Sequence, residues 1–125
     1  MNTRFAAILI SASALAGEQG SADYDVLETW KCYPDGVFIR EDQAPLLEKR
    51  KAVEGGRIYG AVKFAGTFYE SLFEIEGADR RWDFGEDMEY SFVITPEGSA
   101  AYYDFRNVEA GEKVPPKLIY SCRQS

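Results

Sequence analysis

The sequence predicts an all-β fold, a single-domain antiparallel β-barrel or sandwich of about eight short strands clasped by one disulfide. Three observations predict it. Apolar and polar residues alternate with period two in one run after another. Glycine, proline and acidic turn residues break these runs at intervals of roughly 8–12 residues. Finally, the chain's two cysteines, Cys32 and Cys122, stand 90 residues apart, near the first and last of the runs.

The chain begins with a different pattern. Met1–Arg4 leads into the apolar run Phe5–Ala16, and Ala14 and Ala16 make an A-x-A cleavage pattern. Residues 1–16 read as a signal peptide, with an uncleaved interfacial anchor as the alternative. The run is too short to cross a bilayer as a helix. Residues 17–23 are small and polar and read as a flexible leader, which leaves 24–125 as one β domain. Export also explains the cysteines, because an oxidising compartment lets Cys32 and Cys122 bridge. The expected location is periplasmic or secreted.

The strands follow in order. Val26–Tyr33 sets Val26, Glu28, Trp30 and Cys32 against Leu27, Thr29 and Lys31. Tyr33-Pro34-Asp35-Gly36 then turns the chain, with proline presetting φ. Val37–Arg40 resumes as a strand. Asp42–Val53 is open between a short helix, capped by Asp42 and ended by Gly55, and a further strand. Gly55-Gly56 reads as a hairpin turn into Arg57–Phe64, where Ile58, Gly60, Val62 and Phe64 share a face. Ala65-Gly66 turns into Thr67–Glu76, where Tyr69, Ser71, Phe73 and Ile75 oppose acids and Leu72. Arg80–Phe84, Glu89–Thr95, Ala100–Arg106 and Lys117–Arg123 complete the set. Pro115-Pro116 delivers the chain extended into the last of them. Such short connections favour an up-and-down order.

The chemistry is read largely from what is missing. The chain has no histidine, so the usual general base near neutral pH and the commonest metal ligand are both absent. A Cys32–Cys122 bridge leaves no thiol nucleophile, and no serine sits in a nucleophile motif. No catalytic residue, metal ligand or cofactor site is assigned. Asp83, Glu86, Asp87 and Glu89 gather around Gly85, but without the spacing of a calcium loop. The formal net charge of −7 disfavours nucleic acid and anionic membranes and suits a basic partner.

What remains is contact surface. Candidate binding residues are Tyr59, Tyr69, Arg81, Trp82 and Tyr102: an Arg–Trp pair suited to a protein hot spot, and large, stiff, amphipathic tyrosines. The leading expectation is an exported, non-catalytic module that recognises a protein partner, in the manner of an inhibitor of a basic protein. The alternative is a carrier of a small apolar ligand, its cavity lined by Phe64, Tyr69, Phe73, Trp82, Phe92 and Phe105. A hydrolase using the Asp83–Glu89 carboxylates is a third reading.

The outline resembles two kinds of small exported β-barrel, lipocalin-like carriers and periplasmic lysozyme inhibitors. The inhibitors are acidic, disulfide-stapled and about this size. Gly98-Ser99-Ala100-Ala101-Tyr102 resembles their S-G-x-x-Y inhibitory loop, with glycine and serine in the reverse order. The resemblance spans five residues, and no functional residue is carried over from it.

Overall fold

The computed structural model describes residues 23–125. The signal-peptide segment and all of the leader but Asp23 lie outside the described residues. Eight strands follow in chain order: β1 (Tyr24–Pro34), β2 (Leu46–Ala52), β3 (Ile58–Phe64), β4 (Thr67–Glu76), β5 (Asp79–Phe84), β6 (Tyr90–Ile94), β7 (Ser99–Asp104) and β8 (Leu118–Gln124). Each pairs antiparallel with the next, and β8 returns to β1, so the sheet is a closed barrel. The choice between barrel and sandwich is thereby settled. Among the described residues no helix is long and apolar enough to cross a membrane.

Turn chemistry sets the order. Ala65 and Gly66 both have positive φ (52° and 83°), as a two-residue hairpin requires when its twist matches the strands. At the β6–β7 turn the Gly98 amide donates to the Thr95 carbonyl at 2.9 Å. Gly98 has φ 94°, and a Cβ there would stand 2.5 Å from the Cys122 carbonyl oxygen.

Two parts of the sequence reading, the Val37–Arg40 strand and the β1 alternation, are corrected, and the open segment Asp42–Val53 resolves as a strand. Val37–Arg40 is irregular, and the strand comes later, at Leu46–Ala52. β1 is already hydrogen-bonded on both sides, by β2 and β8, so an extra strand after it has nothing to join. The Asp42 region makes only a single 3₁₀ turn, Glu41–Gln43. The alternation read for β1 also breaks, because Val26 pairs Arg50 while Glu28 pairs Lys49. Leu27 is therefore a bulge residue, and Val26 shares a face with Tyr24 rather than with Glu28 and Trp30.

With eight strands a barrel is just wide enough for side chains to fill it. Here they do. Trp82, Phe92, Leu47, Ile94 and Val62 are fully buried, and Trp30, Phe84, Tyr102 and Tyr120 complete the core. Trp82 crosses over β3, and its indole N–H donates to the Glu48 carbonyl at 2.9 Å. Gly60 makes that path possible. A Cβ on it would stand 2.5 Å from Trp82 Cδ1 and would also collide with Ser71 Oγ.

The disulfide joins direct cross-strand partners in the seam that closes the barrel, β1 against β8. The Cys32 amide donates outward to Pro45 (3.0 Å) and the Cys122 amide to Gly98 (2.7 Å). The two cysteines thus form a non-hydrogen-bonded pair, where facing side chains come closest. The bridge closes a 90-residue loop. Loop-closure entropy values such a clasp at about 4–5 kcal/mol.

Candidate functional site

The barrel has two unlike ends. The short turns after β2, β4 and β6 lie at one of them. An ion pair closes the interior there: the Arg80 guanidinium donates to Glu28 through Nε (2.6 Å) and Nη2 (3.0 Å), and Trp30 Nε1 donates to the same carboxylate at 3.1 Å. The Arg80 hydrogen bonds hold the Glu28 carboxyl below its ordinary value, against the opposing effect of burial.

At the other end lie the tight β3–β4 turn and the three long connections 35–45, 85–89 and 105–117. Here the core opens into two shallow basins that share Phe64. One, about 270 Å³, is lined by Phe64, Tyr69, Phe84, Tyr90 and Tyr102, with Asp104, Arg106 and Lys117 at its rim. The other, about 400 Å³, is more apolar and lies under the 35–45 connection, against Val37, Ile39, Pro45, Leu118 and Tyr120.

The aromatic basin is a continuous ring stack. Tyr102 stacks on Phe64 (centroids 5.2 Å) and on Tyr90 (6.3 Å), and Phe84 lies 5.5 Å from Tyr90 and 5.8 Å from Tyr69. Strand parity explains the grouping. Phe84, Tyr90, Tyr102 and Asp104 occupy inward positions at the ends of β5, β6 and β7 next to the long connections. Burial, with Asp104 nearby, pushes the Tyr102 hydroxyl up to about 12, so it stays a neutral donor at physiological pH.

Asp104 organises the rim. It accepts from Arg106 Nε (3.0 Å), Arg106 Nη2 (2.7 Å) and the Arg106 amide (3.1 Å), with Lys117 Nζ at 3.5 Å. These bonds, the Arg106 side chain first, hold the Asp104 carboxyl far below the usual range. Arg106 also lies over the Tyr90 ring at 5.5 Å. Around this cluster the three long connections carry eight carboxylates against four cations.

Of the five candidate residues, the structure brings Tyr69 and Tyr102 into this basin. The other three lie elsewhere. Trp82 is wholly buried in the core. Tyr59 and Arg81 belong to the outer wall, Tyr59 under the Arg57 guanidinium at 4.5 Å. Arg81 pairs with Asp83 at 2.9 Å. That pair also separates Asp83 from the acids after Gly85, and among the described residues no group of cysteine and acidic side chains could hold a metal ion. Phe105 stacks on Tyr103 at 5.5 Å, outside the basin. Gly98 and Ser99 sit at the end opposite the basin, so the five-residue likeness is split along β7. The Asp104–Arg106–Lys117 cluster was missed by sequence reasoning. Its signal was the D-x-R spacing at the start of the longest connection.

Comparison with family models, curated proteins and solved structures finds no match to this chain.

Proposed function

We propose that this chain is an exported, non-catalytic binding module that takes a basic protein partner at the open mouth of its barrel. One observation carries the reading: a shallow aromatic basin, three of its five rings tyrosines, opens within a ring of connections rich in carboxylates. Tyrosines give rigid contact area with a polar tip, and a surrounding negative field steers a cationic partner. Exposed Phe38, Val37, Met88 and Leu118 add apolar contact surface on the connections and strand end around the mouth. A histidine-free chain with its thiols bridged suits binding better than catalysis.

The carrier reading keeps one supporting observation, the apolar basin of about 400 Å³. Against it, Trp82 and Phe92, both wholly buried, occupy the barrel interior that a deeper cavity would need. Titration against a panel of basic proteins, lysozymes included, at low and moderate salt tests the proposal. The expected result is binding that weakens with salt and drops at least tenfold in Tyr69→Ala and in Glu86→Lys/Asp87→Lys. No binding at either salt, or binding indifferent to both variants, overturns it. A small apolar molecule retained in the native mass spectrum would support the carrier instead.

A further inference from the structure

The outer wall carries a second, oppositely charged feature. Lys31 and Arg123 face each other directly across β1 and β8, one position from the bridged cysteines. Leu46 is the next residue in the same row and Lys63 the one after it. All lie on the face opposite Cys32, and so outside the barrel. Like charges placed directly opposite cost stability, and the neighbouring disulfide prevents a slip of register that would part them. A chain with 21 acidic and 14 basic residues has carboxylates to spare for such a row. Yet among the described residues Arg123 and Lys63 make no ion pair, and Lys31 has only Glu41, at 3.5 Å.

The surface around the row is concave. A hollow of about 490 Å³ is lined by Lys31, Arg40, Leu46 and Lys63 together with Glu41 and Asp42 of the 3₁₀ turn, where Asp42 holds Arg40 at 3.2 Å. A second, of about 320 Å³, continues past Lys31 to Tyr33, Arg123 and the chain end at Ser125. Strand spacing places the backbone positions of Arg123 and Lys31 about 5 Å apart, and those of Lys31 and Lys63 about 10 Å apart. Glu41 stands where the hollows meet, held by Tyr33 and Lys31. The Tyr33 hydrogen bond keeps its carboxyl below the ordinary value.

We propose that this row is a binding site for a short linear polyanion, a chain of phosphate or carboxylate groups laid across β8, β1, β2 and β3, with Glu41 as the internal carboxylate it displaces from Lys31. The row lies on the outer wall rather than inside the mouth, and it shares the 35–45 connection with the mouth. Because the whole chain repels anions, recognition rests on these local contacts. A single anion engages fewer of them than a chain does.

Isothermal titration with tripolyphosphate tests the site, with orthophosphate and vesicles of phosphatidylcholine and phosphatidylglycerol as parallel arms. Tripolyphosphate is expected to bind at least tenfold more tightly than orthophosphate. Loss of one charged contact weakens binding about tenfold, so Lys31→Gln and Arg123→Gln each show that drop. Glu41→Gln moves the other way and tightens binding, which a merely structural role for these residues does not predict. Arg123→Gln, with the like-charge contact relieved, melts no lower than the native chain, so a lost signal is not lost fold. The proposal is overturned if millimolar tripolyphosphate gives no binding, if the Lys31→Gln/Arg123→Gln double variant binds as the native chain does, or if only vesicles bind.

Discussion

Gly60→Ala is the sharpest probe of how this barrel is filled. The new methyl would point inward, 2.5 Å from Trp82 Cδ1 and 2.9 Å from Nε1, and against Ser71 Oγ. Neither neighbour is the loose end of a flexible chain: Trp82 is wholly buried, and Ser71 pairs with residue 60 across the strands. Forcing one carbon into such a site costs about 1–3 kcal/mol. If the indole swings aside, its N–H loses the Glu48 carbonyl and is left buried and unpaired, which adds about 1–3 kcal/mol. A combined loss of about 3 kcal/mol corresponds to a melting temperature lower by about 12–24 °C in a domain of this size. Thermal unfolding followed by near-ultraviolet circular dichroism measures both the midpoint and the environment of the tryptophans. Ser71→Ala in the same chain is expected to restore part of the loss, by removing one of the two collisions. A Gly60→Ala variant melting within about 3 °C of the native protein would refute the close-approach reasoning.

Ser71→Ala alone is expected to raise stability by about 1 kcal/mol, because the buried Ser71 hydroxyl has no hydrogen-bond partner among the described residues; denaturant titration reads the change. Reduction, or Cys32→Ser/Cys122→Ser, is expected to cost up to about 4–5 kcal/mol, shown as a lower denaturation midpoint. Glu28 and Asp104 both have lowered folded-state values, so their stabilisation is complete above the ordinary carboxylate values of 4.5 and 3.8 and is lost as pH falls below them. Melting temperature should be flat near neutrality and fall in acid, with a shallower fall in Glu28→Gln. Tyr102 is raised from 10.0 to about 12, so its contribution is complete below pH 10 and is lost as pH climbs through 12. Phenolate absorbance of Tyr102→Phe should lack the latest-titrating step of the native curve.

The period-two alternation made β3 and β4 legible as strands, although at the centre of β3 both faces are covered: outward Tyr59 and Ala61 are as buried as inward Gly60 and Val62. β2 was harder to read. Leu46–Ala52 is written in leucine, glutamate, lysine and arginine, good helix formers, and becomes a strand because two neighbouring strands offer it their hydrogen bonds. The Leu27 bulge left no mark in composition. The candidate tyrosines illustrate the same limit. Tyr69 and Tyr102 meet in the mouth, whereas Tyr59, of the same residue type, lies on the opposite face of the wall. Strand parity separates them, but which end of a strand opens into a basin depends on which connections are long and how they drape. The outer cationic row was invisible for a related reason. Its members lie at positions 31, 63 and 123: Lys31 and Lys63 share a row through β2, and Arg123 joins them only when β8 closes on β1.

That closure has a consequence for the chain before its thiols oxidise. A barrel is protected from aggregation by leaving no strand with unused backbone donors and acceptors. In this chain that protection depends on one seam, and the staple holding it joins the first strand to the last. Wherever Cys32 and Cys122 stay reduced, β1 and β8 are held together by their ladder alone, and opening it would expose two strand edges able to pair with another copy. Keeping the reduced chain apart from its own copies is thus a problem of timing, and it ends when the bridge forms.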